Sequence, residues 1–364
     1  MRRLIYLAVI VIILIQIPFA VSLWRTRALY RYLESLPQVS NPSPPFRDVR
    51  GVIHVHSAQG GHSLGTYAEI VRAAKETGCA FVMLTEHTGH PPLLARISDP
   101  AVLLIYGQEE ERAPSGDTLS AGDGGLRIQS GEDRPISADA TALEVFNLHE
   151  SAQTGDSWFN RISLLYHRAF HPELFFFKLW TVNRSHFNRW DAELPHRMLT
   201  GLAGADAHQN LGLRLETASG QEIFSFTADP YRESFRAVSV HVMLGADAPV
   251  SEQAVLSALR RGATYFAFEK IASATGFSFH AVQAGKVTGM GSTVSPGATL
   301  ICQAPRRAVL QVLRNGHLWQ AEKGGRLSVT AKDPGVYRAE VYPADPPESL
   351  VGKPWIVSNP IFVK

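Results

Sequence analysis

The sequence predicts an α/β protein with a parallel sheet, preceded by a membrane-spanning helix and followed by a small all-β domain. Three observations give this prediction: an apolar N-terminal stretch, apolar runs that alternate with an amphipathic helix pattern, and a C-terminal region of short alternating strands. The predicted parts are a transmembrane signal anchor (1–24), a proline-rich linker (25–48), an α/β domain (49–270) and a β-sandwich (271–364). A chain of 364 residues is long enough for two folded domains.

The N-terminal segment predicts an uncleaved anchor. Met1 to Arg3 precede an apolar stretch from Leu4 to Trp24, which is long enough to cross a bilayer and longer than most signal-peptide cores. Arg25, Arg27 and Arg31 follow it, so basic residues flank both ends. A short basic head before a single span favours export of the rest of the chain, so we expect a periplasmic or extracellular catalytic domain.

The residues after the anchor, and those at the C-terminus, predict a spacer and a second domain. Pro37 to Pro45 is rich in proline and predicts a stiff, extended spacer that holds the next domain away from the membrane. Beyond residue 270, alternating runs separated by Asn315-Gly316 and Asp333-Pro334-Gly335 predict a small β-sandwich. Cys79 and Cys302 fall in different predicted domains, which favours free buried thiols over a disulfide.

The α/β domain is predicted from four apolar runs and one helix. Strands are expected at residues 52–55, 81–84, 101–106 and 201–205. Between the first two, residues 67–74 carry apolar side chains at helical spacing, and Gly78 ends the helix. This strand, helix, strand order is a βαβ unit and indicates a parallel sheet. The segment from Ala113 to Gly131 is expected to be a loop covering the site.

Residues that bind metals follow these strands. Because the C-terminal ends of parallel strands meet at one face, the side chains placed there are expected to converge. An H-x-H or D-x-H pair alone is a weak signal, but five segments in this arrangement predict one metal site. The segments are His54-Val55-His56, His62, Glu86-His87, Glu109 and Asp206-Ala207-His208.

These motifs resemble those of the polymerase and histidinol phosphatase (PHP) superfamily over about residues 49 to 270. The family's H-x-H-S segment corresponds to residues 54–57, T-D-H to 85–87, G-x-E to 107–109 and G-x-D-A-H to 204–208. The resemblance implies a distorted (β/α)7-type barrel that binds two or three divalent ions. Mixed histidine and carboxylate ligands suit zinc, manganese or iron.

The resemblance also implies a distribution of ligands. His54, His56, Glu109 and Asp206 would bind one ion, and Glu109 would also bridge towards another. The remaining implied ligands are His62, His87 and His208 for a neighbouring ion, and His149 for a further one.

The sequence departs from the family at the further ion. No histidine lies between His90 and His149, where many members have a His-Pro pair. Several substitutes stay open, namely Asp117, Glu132, Asp133 and His171. His90 is a candidate for lining the pocket. Glu86 replaces the family's aspartate, which changes the reach of a group that supports the neighbouring histidine.

Clustered divalent ions predict hydrolysis, because they generate hydroxide at neutral pH and stabilise charge on a phosphoryl or carbonyl oxygen. The candidates for proton donation are Glu86, Asp206 and His208. The candidates for contacting a phosphate group of the substrate are Arg112, Arg197 and Arg214.

Three functions remain open from the sequence. The first is a metal-dependent phosphoesterase acting on a small-molecule ester, and the second is a metal-dependent hydrolase of carbamate or other carbonyl esters. The third is a metal-containing cell-surface binding protein without turnover. The net charge of +2 and the absence of a basic stripe interleaved with aromatic residues make nucleic acid a poor candidate partner.

Overall fold

The structure is a computed structural model with a mixed α/β fold. It describes residues 2–61, 63–87, 98–112, 116–122, 125–130, 134–153, 181–210, 212–217, 222–227, 229–347 and 350–364. Within these ranges one sheet contains 17 strands and a second contains two. The α/β class and the large sheet agree with the prediction, whereas the barrel and the sandwich stay predictions.

The described helices are α1 (Arg2–Glu34), α2 (Tyr67–Thr77), α3 (Leu148–Gln153), α4 (Arg184–Glu193), α5 (Tyr231–Ala237) and α6 (Glu252–Arg260), with a 3-10 turn at Ala58–Gly60. The strands before residue 270 are β1 (Arg47–Val55), β2 (Phe81–His87), β3 (Leu103–Arg112), β4 (Gly116–Ala121), β5 (Leu126–Gln129), β6 (Ala142–Asn147), β7 (Thr200–Gly204), β8 (Gly212–Glu216), β9 (Glu222–Thr227), β10 (Ser239–Leu244) and β11 (Thr264–Ala267). The later strands are β12 (Ser278–Gln283), β13 (Lys286–Gly289), β14 (Thr293–Val294), β15 (Ala298–Arg314), β16 (His317–Ala331), β17 (Gly335–Pro343), β18 (Ile356–Ser358) and β19 (Ile361–Val363).

The predicted βαβ unit forms as expected. Strands β1, β2 and β3 pair in parallel, and the side chains of β2 are buried along nearly its whole length. Helix α2 begins with a capping box, in which Thr66 and Glu69 satisfy each other's backbone N–H groups, and ends at Gly78 in the left-handed conformation. The parallel strands therefore end on the same side of the sheet, where the predicted ligands lie.

The segment expected to be a covering loop instead contains two strands. β3 pairs antiparallel with β4, and β4 pairs antiparallel with β5. Leu119 and Ile128, one on each strand, are buried, so alternating apolar residues within this polar segment hold the two strands in the sheet. β5 then pairs in parallel with β6, and β6 with β7.

The segment that follows β7 is hydrogen-bonded to the end of β1. The backbone N–H groups of Ala205 and Ala207 donate to the carbonyl oxygens of Ile53 and His54 at 3.1 and 3.2 Å. The N–H of His56 donates in turn to the carbonyl of Ala207 at 3.0 Å. The segments that carry the first and last predicted ligands are therefore direct neighbours.

The C-terminal strands continue the sheet of the α/β domain. β10 pairs antiparallel with both β1 and β11, and β11 pairs antiparallel with β18. A buried ion-pair network adds to this contact, because the guanidinium of Arg338 on β17 binds both carboxylate oxygens of Asp191 on α4 at 2.6 and 2.7 Å. The boundary expected near residue 270 is therefore crossed by strand pairing and by buried charges.

Helix α1 is long and apolar enough to cross a membrane, and it extends ten residues beyond the predicted anchor. Residues 9–15 are exposed, whereas Leu29, Leu33 and Leu36 are buried in the main apolar core. The end of the helix therefore packs against the folded body instead of leading directly into a free linker.

The proline-rich linker is bound to the C-terminal domain. The N–H of Val39 donates to the carbonyl of Pro305 at 3.0 Å, and the carbonyl of Pro37 accepts from the N–H of Arg307 at 2.8 Å. The amide of Asn41 donates to the carbonyl of Ala304 at 2.7 Å. The segment expected to be a spacer therefore packs against β15.

Candidate metal centre

His54 and His56 lie at the end of β1 and are almost completely buried. His54 has a positive φ of 61°, and the register between β1 and β2 shifts between Val52 and Val55. Asp206, on the neighbouring segment, also has a positive φ of 44°. Residues other than glycine rarely adopt this conformation, and such strain concentrates at functional sites. This irregular backbone directs the side chains of His54 and Asp206 towards a common point.

Four of the predicted ligands meet at that point. The Nε2 atom of His54 is 3.4 Å from Glu109 Oε2 and 3.4 Å from Asp206 Oδ1. The Nε2 atom of His56 is 3.2 Å and 3.5 Å from the same two oxygen atoms. The structure thus brings together the donor atoms of His54, His56, Glu109 and Asp206, which were predicted to bind one ion.

These distances match the spacing of ligand atoms around a bound ion. Four ligands at 2.0–2.1 Å from a metal, arranged as a regular tetrahedron, lie about 3.3–3.4 Å from one another. Direct hydrogen bonds between imidazole and carboxylate are shorter, commonly about 2.7–2.9 Å when charge-assisted. Within the part of the chain that the structure describes, the buried Nε2 atom of His54 has no hydrogen-bond partner. The residues therefore fit a divalent ion.

Glu144 orients the first histidine. Its Oε1 atom lies 2.8 Å from His54 Nδ1, so Nδ1–H donates to the carboxylate and Nε2 faces the four-atom cluster. Ser130 donates to the other oxygen of Glu144, and the amide of Asn147 donates to it at 3.1 Å. The same amide donates to Asp206 Oδ2 at 3.2 Å. Glu144 and Asn147 therefore hold two ligands in place from β6.

Sequence reasoning missed Glu144 as part of the site. It lies inside an apolar run, where a lone carboxylate must have a partner to be buried. Gly204, on the neighbouring strand β7, lies close to it, and a Cβ atom there would lie 1.7 Å from Glu144 Oε1. The glycine of the G-x-D-A-H segment thus makes room for this carboxylate.

A second group of donors comprises His56, His87 and His208, whose ligand atoms lie within 4.8 Å of one another. The Nδ1 atom of His208 is 2.9 Å from the carbonyl oxygen of Asp206, which leaves Nε2 available as a ligand. Glu109 Oε2 is 3.5 Å from His87 Nε2, so this carboxylate reaches both groups. His87 and His208 were predicted to share an ion with His62, and the structure groups them with His56.

The other predicted ligands are placed less closely or lie outside the described residues. The exposed ring of His149 lies 5.4 Å from the ring of His208, and His149 belongs to neither donor group. Asp117 lies on β4 opposite Glu111 and is also in neither group. His62, His90, Glu132, Asp133 and His171 are outside the described residues.

Glu86, a predicted proton donor, supports the turn after β1. Both of its carboxylate oxygens accept hydrogen bonds from the backbone N–H of Ser57, at 3.0 and 3.2 Å, and Oε1 also accepts from the Ser57 hydroxyl. Gly60 leaves space for this carboxylate, because a Cβ atom there would lie 2.0 Å from Oε2. Proton donation by Glu86, Asp206 or His208 stays a prediction.

Of the three predicted phosphate contacts, the structure describes the side chain of Arg197 alone. The guanidinium of Arg197 binds Glu193 at 3.1 Å and the carbonyl of Ser137 at 2.9 Å. Arg197 precedes β7 whereas Asp206 follows it, so the two residues lie at opposite ends of that strand. The side chains of Arg112 and Arg214 are outside the described parts of the structure.

Burial and opposite charges shift the pKa values of the ligands. Burial alone would lower the pKa of His54, but the carboxylates of Asp206 and Glu144 outweigh it and raise that pKa well above its usual value. Burial would raise the pKa of Asp206, but His54 and the other histidines lower it strongly. Burial lowers the pKa of His208 to about 3, so its imidazole is neutral at physiological pH. Neutral imidazole and ionised carboxylate are the forms that bind metals, so His208 and Asp206 are already in that form, whereas His54 would release its proton when an ion binds.

The sequence matches no family model and no curated protein. Among solved structures it is similar to a two-domain protein from Bacteroides vulgatus ATCC 8482 that contains a predicted PHP-like metal-dependent phosphoesterase. The similarity covers 90% of this chain and 98% of that chain, with 13% sequence identity and a TM-score of 0.37. A similarity this distant does not assign a family.

Proposed function

We propose that this chain is a metal-dependent hydrolase of phosphoric esters, with a PHP-like barrel as its catalytic domain. The observation that carries the proposal is the meeting of two imidazole and two carboxylate donor atoms 3.2–3.5 Å apart around one point. The return of β7 to β1 supports the barrel, since it places the first and last motifs side by side. Two or three divalent ions, of zinc, manganese or iron, would complete the site.

Divalent ions at this site would supply a hydroxide at neutral pH and neutralise charge that develops on the ester oxygen. His54, His56, Glu109 and Asp206 would bind one ion, and His87 and His208 would contribute to its neighbour. Glu144 and Asn147 would fix the orientation of His54 and Asp206. The side chain of His87 is 24% exposed whereas that of His56 is fully buried, so substrate would approach from the side of His87.

A carbonyl ester, such as a carbamate, is the second candidate substrate, and the position of Arg197 favours it. A phosphate ester needs cationic partners for its charged oxygens. The only predicted phosphate-binding arginine whose side chain the structure describes is bound to Glu193 and Ser137. In a site where no arginine contacts the substrate, the ions would provide the positive charge, which is sufficient to polarise a neutral carbonyl.

The proposal places the enzyme on a membrane. Helix α1 would serve as a single-pass anchor, with the catalytic domain on the extracytoplasmic side. Reporter fusions after residue 364 test the orientation: activity of a periplasm-specific reporter is the expected result, and activity of a cytoplasm-specific reporter would contradict it.

Hydrolysis is tested on the full-length chain in detergent. Bound metal is measured first, and then turnover of generic phosphomonoesters, phosphodiesters, carboxyl esters and carbamate esters with added manganese or zinc. His54→Ala and Asp206→Ala should abolish turnover. His280→Ala is the matched control, because His280 is also buried but lies on β12 outside the site.

Each outcome separates two functions. Phosphate release that disappears in both ligand variants supports the phosphoesterase. Turnover restricted to carbonyl esters supports the second candidate, and bound metal without turnover of any ester supports a binding protein. Equal activity in the wild type and both ligand variants would contradict a metal-dependent hydrolase.

A further inference from the structure

Asn359, in the turn between β18 and β19, is fully buried in contact with the α/β domain. Its side-chain Oδ1 atom accepts from the N–H of Gly201 at 2.8 Å, and Nδ2 donates to the carbonyl of Gly201 at 2.9 Å. Nδ2 also donates to the carbonyl of Thr264 at 3.0 Å. One side chain of the C-terminal domain thus binds the backbones of β7 and β11.

The side-chain amide of Asn359 makes the hydrogen bonds to β7 that the backbone of a neighbouring strand would otherwise make. An amide side chain carries the same donor and acceptor pair as a peptide group. Further along the same chain segment, Ala205 and Ala207 donate to the backbone of β1. Gly201 precedes the residues that pair with β1. The amide of Asn359 therefore provides the hydrogen bonds for the N–H and carbonyl groups of Gly201.

The fit at Gly201 is close. A Cβ atom at this position would lie 2.5 Å from the ring of Trp190, which is itself fully buried. The backbone of β7 at Gly201 therefore packs against Trp190 on α4 and is hydrogen-bonded by the amide of Asn359. A shift of Gly201 towards Trp190 would produce a clash, and a shift away from Asn359 would leave buried polar groups without partners, which costs about 1–3 kcal/mol for each group.

Asn359 is itself held firmly. The N–H of Asn359 donates to the carbonyl of Thr264 at 3.2 Å. In the same segment, the indole of Trp355 donates to the carbonyl of Ala272 at 2.8 Å. The segment from 355 to 359 is therefore a fixed support and can transmit the position of the C-terminal domain to β7.

We infer that Asn359 is a positioning residue for the metal centre, acting through β7 on Asp206. Asp206 follows β7 by two residues and adopts a positive φ, so its placement depends on where the strand ends. The C-terminal domain is then a structural part of the catalytic unit and not a separate binding module. The inference rests on the proposed function only in that Asp206 binds the ion.

The test compares two adjacent buried residues in the full-length chain. Asn359→Asp keeps the shape and the acceptor for Gly201 but loses both donated hydrogen bonds and faces two carbonyl oxygens with a carboxylate. Ser358→Ala is the matched control, because its hydrogen bond to Ala339 stays within the C-terminal domain. The readouts are the Kd for zinc alone and hydrogen exchange of the amides in residues 199–204.

Asn359→Asp should weaken zinc binding about 10-fold, as loss of an outer supporting contact typically does. Amide exchange in residues 199–204 should accelerate by a similar factor. Ser358→Ala should change neither readout. A zinc affinity in Asn359→Asp equal to that of Ser358→Ala, with unchanged exchange at β7, would overturn the inference.

If Asn359→Asp does not fold, the wild-type chain decides the question. The amide of Gly201 should then exchange together with residues 356–363 as denaturant is raised, because Asn359 protects it. The inference would be overturned if the amide of Gly201 exchanged at the same denaturant concentration as the amides of β6 and independently of those in residues 356–363. Ester turnover enters neither readout, so failure of the proposed enzymatic activity is seen separately.

Discussion

Strand β1 carries a buried cluster of histidine and carboxylates at each end, and the two clusters differ in their distances. Near its start, His241 of β10 binds Asp48 at 2.7 Å and Glu269 at 2.9 Å. At its end, His54 Nε2 is 3.4 Å from each of two carboxylate oxygens. Both histidines are fully buried and both have raised pKa values.

The comparison shows that burial and charge do not by themselves identify a metal site. In the His241 cluster every carboxylate is at hydrogen-bonding distance, and the hydroxyl of Tyr265 donates to Asp48 at 2.7 Å, so the groups satisfy one another directly. In the His54 cluster the donor atoms surround a point at the spacing expected around an ion. The first arrangement stabilises the fold, and the second fits a ligand.

The largest expected effect is that of removing a metal ligand. His54→Ala should lower the affinity for zinc or manganese by more than about 10³-fold, because it removes one of four donors of a tightly bound ion. Metal content by mass spectrometry and titration measures this. An affinity within about 10-fold of wild type would mean that His54 is not a ligand.

At the other end of the strand, His241→Leu should lower the free energy of unfolding by about 3 kcal/mol, because it removes the imidazole that binds two buried carboxylates, Asp48 and Glu269. Urea denaturation of the full-length chain measures the change. The metal content of the folded variant should stay at the wild-type value. Loss of metal in His241→Leu, comparable to that in His54→Ala, would remove the distinction between the clusters.

The carboxylate partners give a matched pair of smaller effects. Glu144→Gln should weaken metal binding by about 10-fold, because it removes the charge that orients His54. Glu269 accepts from His241 as Glu144 accepts from His54, so Glu269→Gln should affect stability and leave metal affinity unchanged. Equal metal affinities in the two variants would contradict the assignment of Glu144.

The pH dependence of stability tests the His241 cluster. Burial lowers the pKa of His241, but Asp48 and Glu269 outweigh it and raise the pKa from 6.5 to about 9 in the folded protein. Because the folded value is the higher one, the stabilisation is complete below pH 6.5 and is lost as the pH rises through 9. Between these values wild type should lose about 1 kcal/mol per pH unit relative to His241→Gln. A difference in free energy of unfolding between wild type and His241→Gln that stays constant from pH 6 to 10 would contradict this prediction.

Arg197 lies in neither cluster and should have the smallest effect. Its contact with Glu193 is partly exposed, so Arg197→Ala should cost about 1 kcal/mol or less. Metal affinity and the KM of the ester substrate should not change. A clear rise in KM for phosphate esters alone would show that Arg197 reaches the substrate.

The sequence predicted the parts of the site that depend on local pattern. Strands β1, β2, β3 and β7 were predicted from apolar runs. His54, His56, His87 and Asp206 lie at or just after the ends of their strands, whereas Glu109 lies within β3. Glu144 and the hairpin of β4 and β5 were not predicted. The role of Glu144 depends on His54, which is 90 residues away. The hairpin depends on pairing with strands outside it, since β4 pairs with β3 and β5 pairs with β6.

The role of the C-terminal domain could not be predicted for a similar reason. Asn359 contacts Gly201 across 158 residues, and nothing in the local sequence of either residue indicates the other. The linker is a comparable case. Its prolines predict an extended spacer, but the contacts of Pro37, Val39 and Asn41 with β15 depend on tertiary packing.

The bound linker affects how far the α/β domain could move relative to a bilayer. A free proline-rich tether of this length would let the catalytic domain reach a range of heights above a bilayer. The linker is bound to the body and the end of α1 is buried in it. If α1 anchors the protein as proposed, the helix and the α/β domain would therefore turn together. The metal centre would then stay at a constant height above the lipid, and esters presented at that height would be favoured over those deeper in the solvent.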